Sequence, residues 1–303
     1  MKLQDFLNSR AAVALALGIS SAVPPWLGYP LSRWIADWLS SRKQTPPVLA
    51  VRSNEWVIHQ KKISAQELDV LVRNVFRSTG RSLYDFYHYL RWPDKILAMV
   101  DFEPSFQASF ERARREEQGT FFVAPHISNF DLIARAIVLR GLPLHVLSYP
   151  QPSGGYRWQN ELRSLPGLTV TPMSVEALHQ ASQTLRANRT VVTGIDRPLP
   201  VAEAKYRPRF FGIPAAMPVF HIRLALKHNL PITVLGARRR SDGSYTVWAS
   251  DPIPMQRHPD LIEEIVRNAE NVLAVLASFI CRAPDQWAMF YPIWPETIAE
   301  MPR

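Results

Sequence analysis

The stretch from Thr120 to Asp131 reads Thr-Phe-Phe-Val-Ala-Pro-His-Ile-Ser-Asn-Phe-Asp: an apolar run, then His126, a polar turn, and Asp131 five residues on. A histidine can take a proton from an attacking hydroxyl only when its other ring nitrogen is held. A nearby carboxylate holds that N–H and stabilises the imidazolium that forms. With His126 leaving a strand and Asp131 in the first turn of a helix, a spacing of five lets the chain double back and bring the two together. Spacing alone carries little weight, because 8 histidines and 26 acids in 303 residues yield about 0.7 such pairs by chance. A second pair stands at His258 and Glu263. There Pro259 and Asp260 read as a helix start, which turns Glu263 along the helix and away from the imidazole. Taken alone, the first pair leaves His126 as readable as a structural histidine as it is as a base.

A second apolar run, Thr190 to Gly194, delivers Asp196 and Arg197, followed by Lys205, Arg207 and Arg209 and then Phe210-Phe211-Gly212-Ile213-Pro214. In isolation Asp196 and Arg197 read as a surface ion pair. The cationic stretch beside an apolar turn suits an amphiphile with a phosphate head and a greasy tail. The single cysteine, Cys281, excludes an intrachain disulfide and every multi-cysteine metal site, and its place near the end of a helical pattern reads as core. His59, His88, His145, His179, His221 and His228 have no carboxylate at the same spacing and read as structural or surface residues.

The elements that must position these residues alternate. Thr120 to Val123, Leu144 to Tyr149, Leu168 to Thr171, Thr190 to Gly194, Ile232 to Leu235 and Tyr245 to Ala249 read as strands. Helical periods cover Phe130 to Leu139, Val175 to Leu185, Val219 to Lys227 and Leu261 to Cys281, and a Ser64-to-Glu67 capping box opens a helix predicted to end near Ser78. Strands separated by helices indicate an α/β sheet with covered faces, whose sites gather beyond the carboxyl ends of the strands.

Composition bounds the function. A chain that is 47% hydrophobic and 20% charged folds. Its 12 glycines form no phosphate-cradling motif, and its 26 prolines exclude a long coiled coil. The charge of +9 is mostly guanidinium, with 28 arginines beside seven lysines, and favours a polyanionic partner. The basic residues are dispersed, with Arg238-Arg239-Arg240 the one run of three, which argues against nucleic acid.

Between Arg10 and Arg33 lie 22 uncharged residues interrupted by Pro24, Pro25, Gly28 and Pro30. About thirteen residues of unbroken helix span roughly 20 Å, too short for a hydrocarbon core of about 30 Å. Trp26, Tyr29, Trp34 and Trp38 follow among Arg33, Arg42 and Lys43, the mixture found at headgroup level. Residues 1–45 are therefore expected to form a membrane anchor or interfacial helix, and 46–303 the α/β domain. A cleaved signal peptide and a buried amphipathic helix are the rival readings.

Several blocks taken in order resemble a known family. They are Arg52-Ser53-Asn54, His126 with Asp131, the strand ending in Asp196, Phe211-Gly212-Ile213-Pro214-Ala215, Leu224-Ala225 with Pro231, and Pro284-Asp285-Gln286-Trp287 running on to Trp294. The chain resembles the lysophospholipid acyltransferase superfamily, in particular the lauroyl and myristoyl transferases of lipid A biosynthesis and the related phosphatidylinositol mannoside acyltransferases. The resemblance implies a single mixed sheet flanked by helices. It also implies an O-acyltransferase that uses acyl-ACP or acyl-CoA as cosubstrate, with no other cofactor and no metal, on the cytoplasmic face of the inner membrane, with a membrane lipid as acceptor. His126 would be the general base and Asp131 its orienting carboxylate. Arg163, Asp196, Arg197, Lys205, Arg207, Arg209 and Gly212 would bind substrate. The branch usually carries glutamate where this chain has Asp131, and glutamine where it has Arg197. A lipid hydrolase using the same dyad and a noncatalytic anionic-lipid-binding protein are the alternatives.

Overall fold

The computed structural model describes residues 18, 20–150 and 160–302. The apolar run expected to form the anchor lies largely before the first of these continuous stretches. Helix α1 (Pro25–Ser40) begins among the very prolines expected to stop a helix. Pro25 sits at the start, where a missing N–H costs nothing, and Pro30 lies inside, where it forfeits one backbone bond. No helix among the described residues is long and apolar enough to cross a membrane.

Helix α2 (Pro46–Ile58) escapes the sequence reading because its centre, Arg52-Ser53-Asn54-Glu55, is polar and yet buried, so no apolar period shows. Helix α3 (Ala65–Tyr89) opens on the expected capping box at Ser64 and Glu67 but runs well past Ser78. Gly80 does not end it. The missing side chain lets α1 approach, since a Cβ there would lie 3.2 Å from the Ser32 carbonyl oxygen. Gly28 of α1 serves the same contact, where a Cβ would fall 2.1 Å from the Tyr84 ring. Ala36 of α1, Val48 and Val51 of α2, and Val72, Val75 and Phe76 of α3 form one buried cluster.

Short α4 (Pro93–Met99), β1 (Val100–Phe102) and α5 (Pro104–Arg114) follow, also unforeseen. Next come β2 (Thr120–Ala124), α6 (Phe130–Leu139), β3 (Leu144–Ser148), β4 (Leu168–Pro172), α7 (Val175–Arg186) and β5 (Thr190–Gly194). A hairpin of β6 (Arg209–Phe210) and β7 (Ile213–Pro214) leads to α8 (Phe220–His228), β8 (Ile232–Arg239), β9 (Tyr245–Ala249) and α9 (Leu261–Cys281).

The seven-stranded sheet has the order β1-β9-β8-β2-β5-β3-β4. All neighbours are parallel except β8 and β9, so the sheet is mixed as expected. Side chains alternate across it. In β2, Phe121 and Val123 join the core beneath α7, α8 and α9, while Phe122 joins the core beneath α4, α5 and α6. From β2 the chain crosses through α6 to β3, beyond β5. From β5 it crosses through α8 to β8, on the far side of β2. The carboxyl ends of β2 and β5 thus flank a topological switch point, where sheets of this kind leave a crevice.

Candidate active site

Register decides what meets in that crevice. Ala124 pairs with Gly194, so the last residues of two parallel strands stand level, and His126 and Asp196 each lie two residues beyond. The His126 Nδ1 lies 2.6 Å from Asp196 Oδ1. The His126 backbone N–H donates to Asp196 Oδ2 at 2.8 Å, and the Trp287 indole N–H donates to the same oxygen at 2.8 Å. Asp196 is fully buried. Burial by itself raises its pKa, but the His126 charge and the hydrogen bonds from the His126 ring, Trp287 and the His126 backbone outweigh it and hold the carboxyl below its ordinary range. An ionised carboxylate only accepts, so Nδ1 carries the proton, and the Nε2 lone pair is the one left for chemistry.

The carboxylate on the imidazole is therefore Asp196. Asp131, expected in that place, meets Arg163 instead, with Nη2 to Oδ2 at 2.9 Å and Nε to Oδ1 at 2.7 Å. Arg163 Nη1 also donates to Asn160 Oδ1 at 2.9 Å. Asp196, expected to touch substrate, has both oxygens engaged with protein donors.

The ring of His126 lies between Phe130, edge-on at 5.3 Å, and the bare backbone of Gly194. A Cβ on Gly194 would come within 2.7 Å of His126 Cε1. Gly194→Ala is expected to push the ring off Asp196 and lower kcat by on the order of 10- to 100-fold with KM little changed, which steady-state kinetics on the folded variant will check.

His126, Phe130, Asp131, Arg163 and Arg197 line a cavity of about 580 Å³. Its inner wall is apolar: Ile133 and Ile137 of α6, Leu144 and Val146 of β3, Leu168 and Val170 of β4, and Val192 of β5. Because Leu144 pairs with Leu168 at the amino ends of β3 and β4, the cavity runs the length of those strands away from His126. An apolar wall of this kind suits a hydrocarbon ligand.

The family model for bacterial lipid A biosynthesis acyltransferases matches residues 9–296. The chain belongs to this family. It is an acyltransferase, and acyl transfer to a lipid is the activity its membership supports. No curated protein matches the sequence.

In this member of the family the blocks that carry the likeness are mostly struts. Gln286 clamps the backbone of Arg239 through both ends of its amide, at 2.7 and 3.0 Å. The Ser128 N–H donates to the Gln286 carbonyl at 2.9 Å, and the Ala288 N–H to the His126 carbonyl at 2.8 Å. The segment thus straps the turn that bears His126. Asn54 holds the strap from behind, donating to the Met289 and Tyr291 carbonyls and accepting from the Ile293 N–H. Phe211 and Gly212 have φ of +50° and +78° at the tip of the β6–β7 hairpin, and Phe211 packs on Trp287 and Trp294. Trp287 carries no role in the sequence reading, although a buried indole needs an acceptor for its N–H, and that need was its signal.

Of the remaining expected site residues, Arg197 and Lys205 line the cavity. Arg207, Arg209 and Gly212 are exposed and outside its lining, and Arg209 donates to the Gly212 carbonyl at 3.1 Å. Cys281, expected in the core, is exposed at the end of α9, and burial of its surroundings with the charge of Glu55 pushes its thiol pKa up. His258 and Glu263, expected to point apart, approach to 3.4 Å on the surface, outside the cavity lining.

His221, read as structural or surface, is fully buried with neither ring nitrogen bonded, and burial lowers its pKa to about 3. Between about 6.5 and about 3 the unfolded chain takes up a proton that the folded imidazole refuses, so stability falls as pH falls through that window. His221→Leu is expected to flatten the acid limb of the stability curve, by at most ~1.4 kcal/mol per pH unit. Denaturant titrations at pH 7 and 5 will measure it, and equal losses in both proteins would refute it.

Proposed function

We propose that the protein moves a fatty acyl chain from an acyl thioester, on acyl carrier protein or coenzyme A, to a hydroxyl of a membrane glycolipid or phospholipid. The observation that carries this reading is an imidazole held by a buried carboxylate at the open end of an apolar cavity. The acyl chain occupies the cavity, with its thioester carbon beside His126. The acceptor hydroxyl gives its proton to Nε2 as its oxygen attacks that carbon. The tetrahedral intermediate then collapses, expelling the thiolate, which takes the proton back from the imidazolium. No covalent enzyme intermediate is required. The backbone amides of Ile127 and Ser128 are taken by the Pro125 and Gln286 carbonyls, so the oxyanion is assigned to the next amides in the cavity wall, those of Phe130 and Asp131 at the start of α6.

Membrane association is part of the proposal. Trp26, Leu27, Trp34, Ile35 and Trp38 of α1 are exposed, with Arg33, Arg42 and Lys43 among and beyond them, an arrangement that sits at headgroup depth on the face where thioesters are made. The test is acceptor dependence. With labelled acyl thioester and detergent alone the protein should release little free fatty acid, and adding membrane lipid should produce labelled lipid. Rapid fatty acid release without acceptor would make it a hydrolase.

A further inference from the structure

Arg197 directly follows the aspartate that holds His126, and its guanidinium lies over two aromatic rings. Its central carbon lies 3.3 Å from the ring centroid of Tyr149, at the end of β3, and 3.9 Å from that of Tyr291, in the carboxyl-terminal strap. Stacking of this kind fixes the plane of the guanidinium and leaves its edge, where all five N–H groups point, as the surface it can offer. Among the described residues Arg197 has no carboxylate partner. Lys205 and Arg223 line the same cavity and also have no carboxylate partner among the described residues, though Arg223 donates to the Tyr206 hydroxyl at 2.8 Å. The lining carboxylates are Glu203 and Asp131, and Asp131 is spent on Arg163. Three lining cations against one unspent lining carboxylate, with Arg197 held over two rings, favour a multiply charged oxyanion there. A hydroxyl or an amide has no use for that excess of positive charge.

We propose that the Tyr149–Arg197–Tyr291 stack is a phosphate-binding fork at the cavity mouth, which grips a phosphate carried by one of the two substrates. The inference rests on the acyl-transfer reading only for the identity of the carriers. One is the phosphate of the pantetheine arm that acyl carrier protein and coenzyme A share, and the other is a phosphate on the acceptor headgroup. Because the fork is ordered before the ligand arrives, little side-chain entropy is lost on binding. Lysine in its place keeps the charge and loses the two-point geometry.

Two ligand pairs separate the carriers. On the donor side the probes are S-dodecyl-4′-phosphopantetheine and its dephosphorylated form, thioethers that cannot react. On the acceptor side they are dodecanoylglycerol phosphate and dodecanoylglycerol. Binding to the full chain in detergent is read by calorimetry. The phosphate is expected to tighten Kd by about tenfold or more in one pair. Arg197→Gln should bring that preference to about threefold or less, with Arg197→Lys and Tyr291→Leu in between. No preference in either pair for the wild type, or an undiminished preference in Arg197→Gln, would overturn the proposal. The wild-type comparison stands even where a variant fails to fold. Binding needs no turnover, so a phosphate preference in a protein that transfers no acyl group would sink the acyl-transfer reading and keep the fork.

Discussion

Asp196→Asn is expected to lower kcat by about 10²- to 10⁴-fold with KM nearly unchanged. The carboxylate accepts three hydrogen bonds, from the His126 ring, the His126 backbone and the Trp287 indole. An asparagine offers one oxygen and one NH₂ group. If the oxygen stays on the backbone amide and the indole, the NH₂ faces Nδ1 and drives the ring to the tautomer with the proton on Nε2, which cannot accept one from an alcohol. If the amide flips, the NH₂ meets two N–H donors in a buried site. Asp131 sits on Arg163 and not on the ring, so its loss acts on the helical turn that bears Arg163 and not on the tautomer. A shift of the His126 ring ¹⁵N signals to the other tautomer in Asp196→Asn, together with the fall in kcat, is the measurement. Unchanged ring signals with full activity would refute the role given to Asp196.

In the proposed mechanism His126→Ala removes the acceptor of the proton itself. Acyl transfer is expected to fall by about 10²- to 10⁴-fold, to the level that cavity binding and the oxyanion amides sustain alone. Donor binding should persist, because the hydrocarbon wall from Ile133 to Val192 is untouched. The fold should persist too, since the imidazole is about 30% exposed. Buried Asp196 loses one of its partners, so a modest drop in thermal stability accompanies the change. Single-turnover assays with a bound thioester separate the chemical step from binding.

The reach of the sequence follows from the range of the forces involved. The β5 run from Thr190 to Gly194 and the β9 run from Tyr245 to Ala249 have the ends expected of them, because valine-rich runs closed by glycine or polar residues are local signals. His126 and Asp196 are both legible as strand-end residues, but their contact is not. It spans 70 residues and depends on the register of β2 against β5, which no local pattern encodes. The nearer carboxylate, Asp131, was the natural partner by spacing, and Arg163 draws it away. Helix α2 stayed hidden for a different reason. Asn54 and Ser53 are buried to hold the carboxyl-terminal strap and not to pack a core, so hydrophobic periodicity was absent where burial was greatest. Pro25 misled because proline is a good residue at a helix start, and Pro30 because a sixteen-residue helix continues past the one backbone bond it forfeits.

The central claim is that His126 draws a proton from a lipid hydroxyl so that the acyl group of a thioester can pass to the hydroxyl oxygen as the thiol leaves. The most direct measurement incubates the full chain and its His126→Ala variant with radiolabelled acyl thioesters and a membrane lipid extract, then resolves every labelled product. A labelled lipid formed by the wild type and absent from a folded variant is the predicted result. A labelled lipid made equally well by both proteins, or free fatty acid as the sole product, would contradict it.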